Sequence, residues 1–493
     1  MKVLHDWLRH WDLHDPNAIA LVNGDTEESW SYRQLFARAQ SGAQYLSLQK
    51  KINKGDRVVY IGKNYLSVIA LFFATSRIGA ILVPVNFRLS QDEIQFIIQD
   101  SSAKLVIVDS DSEGRAVEFK SEFQEVLSLS EFENQTERSG QYIEFNCDEN
   151  DPAMIIYTSG TTGRPKGATL CYRGLFWNAL STSLRLNLTQ KERAVSFLPL
   201  FHTGGWNVLT TPFLSRGAQI ILTQKFDAAQ VLKLSEKYQA TLLFGVPTTM
   251  LMMAQHTTFE SVNLSSVRYA IVGGEPLSLE LIQKWHNRKV PVRQGYGLTE
   301  FGPNVFSLDE KESLRKMGSI GTPNAYIDVQ VINDKNQAAL PGEVGELCLR
   351  GPARMLGYWN HPEETHQVIV KDWLMTGDLV KFDEEGFFYV VGRKKDMFKS
   401  GGENVYPAEI ERVILQLPWV KEVAVIGMQN DRWGEVGEAF VSSDKSQFNE
   451  SELREHCSKN LAKFKVPQVF HWIQELPKSG AGKVLKRDLG TSR

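Results

Sequence analysis

The sequence predicts an α/β protein: a large N-terminal domain of layered, mostly parallel sheets with helices plus a small β unit, then a small α+β C-terminal domain. Three observations carry this reading. From 55 to 110 and again from 153 to 300, short apolar runs alternate with helix-period segments, as in α/β units around a parallel sheet. After about 318 the pattern changes to short strands and turns, and beyond a charged stretch, Arg393-Lys394-Lys395-Asp396, it restarts as a compact module. The 493 residues exceed what one core usually serves. The expected domains are 1–392 and 396–493, joined at 393–396.

In chain order, Val58-Val59-Tyr60-Ile61 reads as a strand, Tyr65–Arg77 as a buried helix, and Ala80–Val85 and Leu105–Val108 as further strands. Residues 112–148 are polar and acidic, without an evident strand, and read as a surface excursion. Ala153-Met154-Ile155-Ile156 is apolar enough for a buried strand. Strands are expected at Ala194–Leu198, Gln219–Leu222, Thr241–Gly245 and Tyr269–Val272, and helices at Ala228–Tyr238 and Leu279–Asn287. Gly/Pro breaks follow three of these strands, at Pro199–Gly205, Val246-Pro247 and Gly273–Pro276. Loops at the carboxyl ends of parallel strands gather around ligands, so the breaks point to one shared cleft. Asp328–Ile332, Gly345–Leu349 and Phe387–Val391 suggest a small antiparallel unit. In the last module Pro407 opens a helix with Ile410, Val413, Ile414 and Leu417 on one face. Strands at Glu422–Ile426 and Glu438–Val441 follow, and a helix near Ser451–Lys463 takes Asn449 as N-cap.

Composition excludes several classes. A net charge of −3 argues against a general nucleic-acid binder. Cys147, Cys171, Cys348 and Cys457 are far apart and form no CxxC pair, which suits reduced thiols and no structural zinc. The N-terminal residues show no apolar signal region, no stretch is long enough to span a bilayer, and the last three residues are not a peroxisomal address. The expectation is a cytoplasmic protein without a membrane span; its oligomeric state, a homodimer included, is left open.

The chemistry centres on Thr158-Ser159-Gly160-Thr161-Thr162-Gly163, followed by Arg164-Pro165-Lys166-Gly167. Glycines remove bulk where backbone must approach a ligand, amides and hydroxyls supply donors, and the lysine adds positive charge: a phosphate cradle. The pattern is not a P-loop, because Gly-Lys-Ser/Thr is missing. A plain linker would lack the strand before it and the Pro-Lys-Gly after it. Further islands are Tyr296-Gly297-Leu298-Thr299-Glu300, Trp373–Asp378, Gly392–Asp396, Ser400–Pro407 and Pro477–Leu485.

Together these segments, in their order and spacing from about Trp30 to Leu489, resemble the adenylate-forming superfamily of acyl-CoA synthetases, luciferase-like enzymes and peptide-synthetase adenylation domains. The resemblance implies an acid–thiol ligase using ATP, Mg²⁺ and coenzyme A. A carboxylate attacks the α-phosphate of ATP, pyrophosphate leaves, and the acyl-adenylate passes to the thiol of coenzyme A. It implies that Thr158, Ser159, Gly160, Thr161, Thr162, Gly163 and Lys166 cradle the β- and γ-phosphates, with Thr158 and Glu300 at the Mg²⁺ ion. Thr299 would touch the α-phosphate; Gly274, Glu275, Pro276, Tyr296 and Gly297 would hold adenine. Asp378 would accept the ribose hydroxyls, with Arg393 reinforcing it. Lys483 would bridge carboxylate and α-phosphate in the adenylation step. Lys395 matches the hinge about which a mobile small domain would swing, bringing Ser400, Gly401 and Gly402 to coenzyme A.

His202 falls where the resembled enzymes gate the acyl pocket, and where relatives that activate α-amino acids carry an Asp; an amino-acid ammonium would lack its buried partner here. The implied pocket of His202, Trp206, Phe244, Val246, Gly273, Gly295, Gly297, Leu298 and Pro303 is apolar and roomy. The substrate expected is a small hydrophobic carboxylic acid, a medium- or long-chain fatty acid. The alternatives are a benzoate-, cinnamate- or succinylbenzoate-type aryl acid, or transfer to a carrier protein.

Overall fold

The computed structural model describes residues 6–112, 114, 125–137, 142–145, 147–158, 164–274, 277–478 and 484–489. Contacts divide the chain into two compact units, residues 1–328 with 349–374, and residues 329–348 with 375–493.

The first unit holds two large sheets. In one, Ile19–Asn23, Gln219–Leu222, Arg193–Ser196, Leu242–Gly245, Tyr269–Val272 and Val292–Leu298 lie side by side, all parallel. Ser29–Ser31 borders one side antiparallel; Gly302–Ser307 and Thr322–Pro323 border the other. In the second sheet Val126–Ser128, Leu105–Val108, Arg57–Ile61, Ile81–Val85 and Pro152–Thr158 run parallel, and Lys166–Cys171 and Gly357–Tyr358 close the edge antiparallel. Parallel strands buried on both faces should read as near-continuous apolar runs, and Leu105–Val108 and Ile81–Val85 are buried throughout. Leu66–Ile78 is a helix buried at every position but its last, and it stops at Gly79, whose φ of +70° a side chain would resist.

The predicted elements of this unit reappear with ends shifted by a residue or two. The segment 112–148 is the correction. Its described part contains the edge strand Val126–Ser128 and the helix Leu129–Thr136, N-capped by Ser128 and burying Leu129 and Phe132. Three residues are too few for a strand period to show, and the helix buries only a narrow stripe in a polar sequence.

Because the six central strands of the first sheet are parallel, their carboxyl ends open on one side. Loops 197–208 and 246–248 and the turn at Gly273 gather there, and the Gly273 amide donates to the Gly245 carbonyl at 3.3 Å.

The second unit contains strands Asp328–Ile332, Gly345–Arg350, Trp373–Phe382 and Phe388–Arg393, wholly or in part, and the C-terminal α+β module. In that module Pro407–Ile414 is a helix with Pro at its start, and Glu422–Asn430 and Gly434–Ser442 form a long antiparallel pair. Asn449 caps Glu450–Asn460, accepting from the Glu452 amide at 3.2 Å. Phe398, Val405, Ile410, Ile414, Val425, Val441 and Leu453 make its core. No helix among the described residues is long and apolar enough to cross a membrane.

Candidate active site

In the first unit, Thr158 ends the strand Pro152–Thr158 and Lys166 begins its antiparallel partner, with Thr158 paired to Lys166. Ser159, Gly160, Thr161, Thr162 and Gly163, the turn between them, lie outside the described residues, as do Glu275, Pro276 and Lys483. The two rims of the predicted cradle are therefore fixed by a strand ladder. The Lys166 side chain is 12% exposed; its Nζ lies 3.7 Å from Glu364 Oε1 and 5.6 Å from the centre of the Tyr358 ring.

Glu300 sits in the short turn Thr299–Phe301, after the strand Val292–Leu298. Its Oε1 accepts from the Tyr358 hydroxyl at 3.0 Å, and its backbone carbonyl accepts from the Met355 amide at 2.9 Å. Among the described residues no Lys or Arg forms an ion pair with it. A single carboxylate with an oxygen to spare suits magnesium, which binds through one or two carboxylates and the substrate's phosphates. Gly297 is obligatory where it stands: a Cβ there would meet the Pro303 carbonyl carbon at 2.2 Å. Tyr296 packs edge-on to Phe306, ring centres 5.8 Å apart, and Thr299 directly precedes Glu300.

The residues of the predicted acid pocket all lie in the first unit. The Phe244 ring lies beside Gly204 and Gly273, where an added Cβ would find no atom closer than 3.9 and 3.5 Å. Gly295 is similarly open, and a Cβ on Gly274 (φ +91°) would meet only Val246, at 3.9 Å. Leu298 and Pro303 are partly buried in the same unit. Trp206 is wholly buried and packs against Phe72 of the helix Leu66–Ile78, ring centres 5.2 Å apart. The His202 ring is tilted against Phe201, centres 4.7 Å apart; burial, with Arg88 adding to it, lowers the imidazole pKa to about 4, so the ring is neutral at pH 7. Nearby, Lys63, Arg88 and Lys225 line a cavity of about 160 Å³ with Phe87 and Phe226, and Lys63 is paired with Asp111.

In the second unit, Asp378 and Arg393 face each other across the antiparallel strands Trp373–Phe382 and Phe388–Arg393. Arg393 Nε lies 2.6 Å from Asp378 Oδ1, and the Asp378 side chain is 5% exposed. Lys395 is exposed in the turn that follows. Phe398–Ser400 and Glu403–Val405 form a hairpin whose tip is Gly401 and Gly402, with φ of +61° and +88°. The Gly401 amide donates to the Trp433 carbonyl at 2.8 Å, and Ser400 is buried. Sequence reasoning missed Tyr358 and Glu364. Gly357-Tyr358-Trp359-Asn360-His361-Pro362 has no period and no cluster of one chemistry to mark it.

The first unit thus holds a carboxylate braced by a tyrosine, and the second an acid held by an arginine, both on an α/β frame. Residues 8–359 match the model for AMP-binding enzymes, and residues 409–483 match that for the AMP-binding enzyme C-terminal domain. The chain belongs to this family, in the class of AMP-forming acyl-CoA synthetases. It is 36% identical over 475 residues to a feruloyl-CoA synthase of Amycolatopsis sp., covering 96% of each chain. It is 33% identical to a long-chain-fatty-acid–CoA ligase of Mycobacterium tuberculosis, covering 99% of this chain and 97% of that one. The solved o-succinylbenzoate CoA synthetase of Bacillus subtilis, bound to its acyl-adenylate, superposes with a TM-score of 0.91 at 30% identity, covering 99% of this chain and 98% of that one. The same enzyme has been solved with ATP and magnesium.

Proposed function

We propose that this ligase activates a medium- or long-chain fatty acid with ATP and Mg²⁺ and hands the acyl group to coenzyme A, in the cytoplasm. The observation that carries the reading is the open apolar space around Phe244, between glycines that leave it unfilled. Neutral His202 lies near it in sequence terms, where a substrate ammonium would need an acid. Lys166 and Thr158 would flank the β- and γ-phosphates, and Glu300 would hold magnesium, which neutralises charge on the phosphate oxygens. Asp378 would accept ribose hydroxyls while Arg393 answers its charge. Lys483 would orient carboxylate and α-phosphate, and a swing about Lys395 would replace it with the Gly401–Gly402 turn for thioester formation.

A second reading, an aryl acid, is favoured by the feruloyl-CoA synthase relative, since a flat ring fits an apolar slot as well as a chain. Thioester formation should be measured with coenzyme A over a series of straight-chain acids beside benzoate, cinnamate and ferulate. The highest kcat/KM is expected for a medium or long straight chain; ferulate ahead of every fatty acid establishes the second reading. Thioester on a carrier protein but not on coenzyme A removes both. Lys483→Ala should lower adenylation by about 10³-fold while a supplied acyl-adenylate is still turned over.

A further inference from the structure

The segment from Met355 to Trp359 touches both poles of the phosphate site. The Met355 amide donates to the Glu300 carbonyl, the Leu356 amide to the Thr169 carbonyl at 2.9 Å, and the Trp359 amide to the Gly167 carbonyl at 2.7 Å. Gly357 and Tyr358 pair with Thr169 and Ala168 of the strand that Lys166 begins. The Tyr358 backbone is pinned from the other side, its amide donating to Thr365 Oγ1 at 2.9 Å. A Cβ on Gly357 would run into Thr365 Cγ2 at 2.6 Å, so this packing admits only glycine.

From this fixed strand one side chain reaches both charged groups. The Tyr358 hydroxyl donates to Glu300 Oε1 at 3.0 Å, and the ring lies under the Lys166 ammonium at 5.6 Å. A hydrogen bond to one carboxylate oxygen orients the group and leaves the other oxygen to a cation. The hydroxyl carries no charge, so it orients Glu300 without neutralising it, as a lysine or arginine would.

We infer that Tyr358 is a positioning residue that holds the Glu300 carboxylate in place for the magnesium ion of the Mg·ATP complex. The inference rests on the adenylation reading above. Binding separates this role from a structural one, because AMP binds without the metal. Calorimetric titrations of the full-length protein with Mg·ATP and with AMP, without acid, should be run for wild type and Tyr358→Phe. The variant deletes one oxygen and keeps the ring that packs beside Lys166.

Tyr358→Phe should bind Mg·ATP roughly tenfold more weakly, the equivalent of one hydrogen bond to a charged group, with AMP affinity unchanged. In a Glu300→Gln background the same substitution should have almost no further effect on Mg·ATP, since its target charge is gone. Equal Mg·ATP affinity in wild type and Tyr358→Phe overturns the inference. So does a parallel loss of AMP and Mg·ATP binding with a lower melting temperature, which would make the tyrosine a brace only. A wild-type protein that binds AMP but no Mg·ATP would instead bring down the adenylation reading, and this inference with it.

Discussion

Each unit holds one of the predicted acids, Glu300 in the first and Asp378 in the second, and their partners differ. In the second unit Asp378 is 5% exposed and paired directly with Arg393 at 2.6 Å. In the first unit Glu300 and Lys166 are not partners: Tyr358 binds the acid, and Glu364 faces the lysine at 3.7 Å. An acid whose charge is already answered suits uncharged hydroxyls, because no unpaired ion remains to be buried. An acid answered only by a phenol keeps its charge for a metal ion, and a lysine with a loosely placed counter-ion can exchange it for phosphate. The same residue types thus differ in what they are left free to bind by who their neighbours are.

The sharpest break of this contrast is a crossover. Glu300→Gln should reduce acid-dependent ATP–pyrophosphate exchange by about 10²-fold or more, as loss of a preorganised charge does, and leave AMP affinity intact. Asp378→Asn should weaken AMP and Mg·ATP together, by about tenfold, since it removes a charge-assisted acceptor common to both. Identical profiles for the two variants would erase the distinction. A smaller effect tests the loose pairing of Lys166. Glu364→Gln should tighten Mg·ATP binding by a few-fold at most, because partly exposed ion pairs are worth about 0–1 kcal/mol. Weaker binding in that variant would mean that Glu364 orients the lysine instead of competing for it.

The smallest effect is on pH. The pKa of His202 lies near 4 in the fold and rises toward its ordinary value near 6.5 on unfolding. The unfolded chain therefore binds the extra proton, so the contribution of this group is complete above about pH 6.5 and is lost as pH falls toward 4. Melting temperatures from pH 7 to 4 should fall less steeply for His202→Phe than for wild type, and kcat/KM should show no inflection near pH 6.5 from this ring.

What the sequence disclosed was whatever has a local period or a dense local chemistry. Leu105–Val108, Gln219–Leu222 and Tyr269–Val272 are apolar runs and were readable to the residue. Thr158 to Lys166 announces itself by glycines and hydroxyls. Tyr358 and Glu364 do neither, since their meaning lies in partners nearly sixty and two hundred positions away in the chain, Glu300 and Lys166. Val126–Ser128 escaped notice because an edge strand of this length is defined by the neighbour it joins. The packing of Trp206 was equally hidden: nothing local tells that its ring meets Phe72, more than a hundred positions earlier in the chain.

The late strand Gly357–Tyr358 also bears on how this protein comes into being. It covers the free side of Lys166–Cys171, which until then presents bare backbone amides and carbonyls at the border of a sheet. A nascent chain on the ribosome carries that sticky border through more than a third of the length of the polypeptide before its cover emerges. Fragments cut ahead of Gly357 should therefore clump, whereas those ending past Trp359 should stay dispersed.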